Sequence, residues 1–372
     1  MRVVRNPDVV IFWGEEGLLA RDLRSGKESR IEPALAGALA RLEGPRSLEE
    51  AAGVLSVGSR ESGARAVREL RRRGLLLDER DRARRPSLLE VWKANVASAH
   101  HYAASRDMPY LQGPQALRRF LRTVAAKRRP ARFKRYRGRV RVPLRRPPTA
   151  QISPAPLGDV LARRRTTRFF TREPVSFEDL SALVGGTWGR TGWIVDEILG
   201  RHQLKTSPSS GSLHPIECYV IAWRVRGLKS GLYHYDVVSD ELRRLRAGDL
   251  RRQAVAAASG QRWIRGAAFL CVLTAVFTRN LWKYHGERAF RSLWLEAGHL
   301  AQTFSLLATA RGLGPFTTAA IQESVLEKLI GLDGVREFPL YLCGAGVPEA
   351  PLRAPRRAKR LPSRAGRSGS GS

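Results

Sequence analysis

Residues 281–311 read LWKYHGERAFRSLWLEAGHLAQTFSLLATAR. Phe290, Leu293, Trp294, Ala297, Ala301, Phe304 and Ala308 recur close to the helical period, so the spacing predicts one long amphipathic helix over roughly 281–311. Gly312-Leu313-Gly314 follows at once. One glycine suits a helix C-cap, and a second permits close backbone approach to a flat ligand. At the helix start stands Lys283-Tyr284-His285-Gly286-Glu287-Arg288-Ala289-Phe290-Arg291, with Tyr284, Arg288 and Arg291 expected on one face. A lysine beside arginines has its charged form disfavoured, which suits a general base. Around this helix, Ile216–Arg226, Leu232–Asp236, Ala267–Phe277 and Pro339–Cys343 read as strands, and Ser176-Phe177-Glu178-Asp179 caps a helix carrying Leu180, Leu183 and Val184. The frame is therefore α+β.

Working outward, the 372 residues are 43% hydrophobic, room for two or three domains of roughly 100–200 residues each. No apolar run is long enough to cross a membrane, and Met1–Asp8 lacks the charged and apolar regions of a secretory signal. Cys218, Cys271 and Cys343 stand singly in apolar stretches, which reads as buried free thiols in a reducing cytoplasm and excludes a disulfide scaffold or cysteine-rich zinc site. No convincing metal ligand set is present. The net charge of +32 suggests an anionic partner, or else a genome that writes arginine wherever a cation will do. Between Arg118 and Arg146 there are 14 basic residues and no acidic one, and the tail from Arg353 is likewise free of acids. The excess is thus concentrated in a linker and a tail, which disfavours a specific nucleic-acid role.

Four regions follow. Residues 1–85 carry a hairpin signal around Gly14-Glu15-Glu16-Gly17, three short helices, a Ser47-Leu48-Glu49-Glu50 capping box and a closing Leu75-Leu76-Leu77 strand. Residues 86–150 hold a helix near Leu88–Ala104 and a basic Arg/Pro-rich extended linker. Adjacent His100 and His101 cannot share one helix face, so they do not make a metal pair. Residues 151–350 form the α+β domain, and 351–372 a basic flexible tail.

Two further constellations lie in the α+β domain. Arg163-Arg164-Arg165-Thr166-Thr167-Arg168 sets guanidinium groups beside hydroxyls, a donor set for phosphate. Ser207-Pro208-Ser209-Ser210-Gly211-Ser212-Leu213-His214-Pro215, directly before a strand, offers hydroxyls and backbone amides to a heteroaromatic edge, or is simply a polar turn.

In this order RRTTRFF (164–170), SPSSGSLHPIECYV (207–220), KYHGERAFRSLWLEAGHLAQ (283–302) and ARGLG (310–314) resemble the nitroreductase-like FMN flavoenzyme superfamily. The nearest likeness is its SagB-type azoline dehydrogenase branch, with proteins described as peptide maturation dehydrogenases. The resemblance covers about 200 residues, Gln151 to Glu349, and implies a mixed sheet flanked by helices in a dimer. Residues 1–85 resemble a winged-helix-like domain that recognises leader peptides.

The resemblance implies cofactor contacts by Arg164, Arg165, Thr166 and Arg168 (phosphate, ribityl chain and ring), by Ser209, Ser210, Gly211 and Ser212 lying over the flavin, and by the backbone of Gly312, Leu313 and Gly314 at its N5/O4 edge. Thr166 replaces the family's usual serine, and Ser212 stands where many relatives have asparagine. Lys283 and Tyr284 match the pair implicated in azoline oxidation. The implied activity is FMN-dependent oxidation of thiazoline or oxazoline rings to azoles in a ribosomally made peptide. The implied partners are a second copy, a precursor peptide and a cyclodehydratase. The alternatives are an NAD(P)H-dependent reductase of small molecules and a flavin-free peptide- or nucleic-acid-binding protein.

Overall fold

Ile216–Ala222 (IECYVIA) is buried along its whole length, so its two faces must both be covered. Cys218, Val220 and Ala222 point into one apolar cluster, while Tyr219 and Ile221 point into another on the opposite face. That strand is central to a seven-stranded sheet in a computed structural model of the chain. The structure describes residues 1–353 except 43, 57–58, 85, 108–110, 138–139, 148–151 and 153–154. The expected tail from residue 354 lies outside the described residues.

The sheet order is Gly314–Thr318, Glu337–Gly346, Phe269–Val276, Ile216–Ala222, Gly231–Asp236, Glu241–Ala247 and Val140–Pro143. Every neighbouring pair in it is antiparallel. Parallel pairing occurs between the short strands Val175–Ser176 and Val225–Arg226. One face is covered by the helices Phe177–Trp188 and Arg288–Ala310, through Leu180, Leu183, Trp188, Leu293, Ala297, Phe304 and Ala308. The other is covered by Arg251–Ala257 and Glu323–Ile330, through Ala254, Ala257, Leu326 and Leu329. This is an α+β fold with helices on both faces of one sheet. Ser176 starts its helix by accepting from the Asp179 amide at 2.9 Å.

The described residues fold as two compact units, residues 1–110 with 286–288, and residues 111–285 with 289 onward. In the first, the antiparallel sheet Val9–Gly14, Gly17–Asp22 and Glu28–Arg30 is followed by helices Pro33–Ala40, Leu48–Leu55 and Arg60–Arg72, a winged-helix-like order. The Ser47–Glu50 capping box forms as read.

Three expectations are corrected. The long helix is two helices, Phe277–Lys283 and Arg288–Ala310, because the chain leaves helical geometry at Tyr284 (φ −118°, ψ 114°). Tyr284 therefore does not share a helical face with Arg288 and Arg291. The basic stretch is not simply an extended linker. It supplies helix Gly113–Ala125, with Pro114 in its first turn, and the edge strand Val140–Pro143. Pro143 is tolerated because only one side of an edge strand must donate. Finally, the helix expected near Leu88–Ala104 is broken at Lys93 and Ala94, both at positive φ.

Candidate functional site

The second unit carries two clusters of the sequence-predicted residues, set against different faces of the helix Arg288–Ala310. The first is a cleft of about 120 Å³ lined by Arg164, Thr166, Gly298, Ala301, Gln302, Ser305, Pro315, Phe316, Thr317 and Tyr341. The Arg164–Arg168 stretch is held there by the Thr167 amide, which donates to Pro315 O at 2.8 Å. Arg164 is half-buried, and Arg165, Thr166 and Arg168 are exposed. Among the described residues no carboxylate lies within 4.0 Å of Arg164, Arg165 or Arg168. Arg165 donates to Arg164 O at 2.5 Å, and the Arg168 guanidinium stands 5.8 Å from the Trp263 ring. Arg164 and Thr166 line this cleft with no carboxylate beside the guanidinium, a donor set that fits a phosphate such as that of FMN.

Gly312, Leu313 and Gly314 have other duties. The Gly312 and Leu313 amides donate to Thr309 O and Ala308 O at 3.1 and 2.9 Å, closing the long helix with Gly312 at φ +72°. Leu313 is buried in the core. A Cβ on Gly314 would meet Thr167 Oγ1 at 2.6 Å, so this glycine is required by packing inside the chain. The following residues, Pro315 to Thr317, line the cleft instead.

The second cluster joins Lys283 and Tyr284 to the serine turn. Gly211 sits at φ +61°, and a Cβ there would meet Tyr284 Oη at 2.7 Å and Lys283 Nζ at 3.1 Å. Lys283 ends its helix and Tyr284 caps it. Arg279, one turn earlier, fixes that helix. It pairs with Glu217 at 2.6 Å and donates to His214 O and Ala131 O at 3.1 and 3.0 Å. Burial pushes the Lys283 ammonium below its usual range, while Asp196 pulls the other way. The arginines expected to depress it are not the cause.

The turn's hydroxyls are largely spent on its own shape. Ser209 Oγ donates to Glu296 Oε2 at 2.6 Å and accepts from the His214 amide at 2.9 Å. Ser212 Oγ donates to Gln203 O at 2.6 Å. Ser210 is exposed. Glu296, which the sequence reading missed, is buried; burial raises its carboxyl to about 7 against the pull of Ser209, Lys205 and Arg279. The signal was a carboxylate on the apolar stripe beside Leu293, Ala297 and Leu300. Lys205, also missed, is brought down to about 8 by desolvation, although Glu217 and Glu296 favour its charge.

At about 100° per residue, Glu296 and Thr303 project from the long helix on the side opposite Gly298 and Ser305. Thr303 meets Ser207 at 2.7 Å, so the serine turn lies on that first side and the Arg164 cleft on the other. Beside the cleft, Trp294 (49%) and Leu295 (64%) are exposed, whereas Phe304 of the same apolar stripe is fully buried in the chain's own core.

Among the described residues, no group of three or more His, Cys, Asp or Glu could hold a metal ion, and no helix is long and apolar enough to cross a membrane. Cys218, Cys271 and Cys343 are free and buried.

Residues 161–347, half of the chain, match the Nitroreductase family. The chain is 30% identical over 190 residues to a protein named as a nitroreductase of Methanocaldococcus jannaschii, covering 51% of this chain and 90% of that protein. It is 27% identical over 206 residues to the trifolitoxin operon protein TfxC of Rhizobium leguminosarum bv. trifolii, covering 54% of this chain and 57% of that protein. It is also 27% identical over 163 residues to the trifolitoxin-processing protein TfxB of the same organism, covering 43% and 44%. The chain thus spans about half the length of these two trifolitoxin proteins. A crystal structure of a nitroreductase from Anabaena variabilis shares the fold, with TM-score 0.50 and 24% identity over 65% of this chain and 49% of that one.

Proposed function

Since the chain belongs to the nitroreductase family, we propose that it is an FMN-dependent dehydrogenase that oxidises thiazoline or oxazoline rings of a ribosomally made peptide to azoles. The observation that carries this reading is the packing of Lys283 and Tyr284 onto the Gly211 turn. A base is thereby set beside a loop whose conformation is fixed from within. Similarity to a trifolitoxin-processing protein supports a peptide substrate.

Arg164, Thr166 and Arg168 would hold the FMN phosphate and ribityl chain, with Gln302 and the Pro315–Thr317 strand beside the ring. FMN bound there supplies a two-electron acceptor for the hydride leaving the azoline, with dioxygen as the final oxidant. Lys283, whose burial disfavours its protonated form, takes the ring proton. Tyr284 orients the ring through its hydroxyl. The azoline loses one hydride and one proton, two hydrogen atoms per ring. A cyclodehydratase is the class of enzyme that must supply it.

The cleft and the serine turn face opposite sides of one helix. One copy therefore cannot close both around one ring, and a two-fold homodimer in which the turn and Lys283 of one copy cover the cleft of the other meets this requirement. The exposed Trp294 and Leu295 beside the cleft give such a dimer an apolar contact. Residues 1–85 would hold the leader of the precursor.

The test is purified protein with a cyclised peptide under air. We expect heat-released FMN and loss of two hydrogen atoms per ring by mass spectrometry. Protein without flavin after reconstitution with excess FMN overturns the reading. Rapid flavin bleaching by NADPH with no azole formed replaces it with small-molecule reduction.

A further inference from the structure

We propose that the exposed arginines of residues 118–137 form the docking surface for an acidic stretch of the peptide substrate. The proposal rests on the peptide-dehydrogenase reading and names the substrate chemistry which that reading leaves open.

This segment is built against the catalytic pair. Helix Gly113–Ala125 turns Leu121 and Val124 onto Leu199, Leu213 and Trp282, in a cluster that also takes in Phe120 and Tyr284. Trp282 Nε1 donates to Lys127 O at 3.3 Å, and the Arg129 guanidinium lies 4.4 Å from the Trp282 ring. The chain from 113 to 132 is thus fixed across the helix that ends in Lys283.

Its outer face is uncompensated. Arg118, Arg119, Arg122, Arg128, Arg135 and Arg137 are exposed, and none pairs with a carboxylate among the described residues. Other cations on and just after the segment do find partners. Lys134 pairs with Glu337 at 2.5 Å and Arg141 with Glu241 at 2.9 Å. No acidic residue occurs from Met108 to Gly158, so the six charges add to one positive field. Such a field steers and registers an oppositely charged partner.

An open, partly apolar surface lies along the same helix, formed by Leu111, Gln112, Ala116, Arg119, Phe120 and Thr123. It includes Phe120, which shares a cluster with Tyr284. Acidic side chains on the arginines would leave the adjoining residues on this surface. Single-stranded nucleic acid calls for exposed aromatic platforms. The rings available here, Phe120, Phe133 and Tyr136, are half-buried, and Tyr136 packs on Tyr219 and His234.

The experiment measures fluorescence anisotropy of labelled deca-glutamate with the flavin-loaded full chain at about 50 and about 300 mM salt. The triple variant Arg118→Glu/Arg119→Glu/Arg122→Glu should lose affinity about tenfold at the lower salt. The control triple Arg172→Glu/Arg226→Glu/Arg252→Glu, also exposed and on the same unit, should lose less than about twofold. Equal losses in both triples, or no binding by the wild type, overturn the proposal. So does tighter binding of a ten-nucleotide single-stranded DNA that the first triple abolishes. Should the charge reversal unfold the helix, the Arg→Gln triple at the same positions gives the same comparison. Binding is read without ring chemistry, so its failure removes the docking surface alone. Intact binding with no azoline oxidation removes the catalytic reading alone.

Discussion

Ser209 Oγ donates to Glu296 Oε2 at 2.6 Å, tying the serine turn to the middle of the long helix. The turn needs that tie. Gly211, Ser212 and His214 all have positive φ (61°, 55° and 47°), and the two non-glycines cost on the order of 1–3 kcal/mol each. Glu296→Leu removes the acceptor and leaves the Ser209 hydroxyl proton without a partner, so stability should fall by about 1–3 kcal/mol in urea unfolding and azole formation with it. Glu296→Gln keeps an acceptor and should retain most of both. The carboxyl is raised from 4.5 to about 7, facing Ser209, Lys205 and Arg279. The folded state therefore binds more protons than the unfolded one between those values. This contribution is full below pH 4.5 and is lost as pH rises through about 7. Stability of the wild type relative to Glu296→Gln should fall across that window, and a flat difference would remove the assignment.

Gly211→Ala should combine backbone strain with a clash, since its Cβ would stand 2.7 Å from Tyr284 Oη. We expect a loss of about 1–2 kcal/mol and a larger fall in turnover than stability explains. Gly200→Ala is the control, with φ +74° and no atom within 4 Å of the new Cβ. It should cost stability alone. Equal turnover in the two variants would separate the turn from catalysis.

What the sequence made legible follows from local rules. The Ser176 cap and the start of the strand read as Ile216–Arg226 depend on neighbours in the chain and stand where they were read, although that strand ends at Ala222 and Val225–Arg226 pairs separately with Val175–Ser176. The break at Tyr284 was hidden because Phe290, Trp294 and Phe304 keep the helical period after it, while nothing before it is out of register. Arginine density concealed helix Gly113–Ala125, which turns Phe120, Leu121 and Val124 inward. Glu296 was quoted but not singled out, because its burial depends on the tertiary approach of Ser209. Gly312 caps the long helix as one glycine was expected to, whereas the packing duty of Gly314 was not legible because Thr167, which excludes a Cβ there, is far away in sequence.

Lys283→Ala should slow azole formation by roughly 10²–10⁴-fold at equal flavin content, the usual worth of a positioned base. Tyr284→Phe should slow it too, leaving the Arg164 cleft intact. The base must be neutral to act, and burial lowers the Lys283 pKa from 10.5. Turnover should therefore rise with pH through an apparent pKa below 10.5, and Lys283→Ala should lose that limb. An unchanged pH profile in Lys283→Ala would assign the proton to another group.

The opposed half-sites make the dimer testable without a structure of it. Arg164→Ala weakens only the cleft side, and Lys283→Ala only the turn side. If each active site takes its cleft from one copy and its turn from the other, both pure variants are inactive. In a mixed dimer, one site then combines the two damaged halves, and the second combines the two intact ones. Unfolding and refolding an equal mixture should give mixed dimers as half of all dimers, each with one working site. Activity should recover to about a quarter of the wild-type value. Were both halves drawn from the same chain, every site would carry one lesion and mixing would recover nothing. Adding Leu295→Glu to both variants places a charge on the exposed apolar surface beside the cleft, and it should abolish the recovery together with the dimer seen by light scattering. Recovery that survives loss of the dimer would show that the two halves close by some other route.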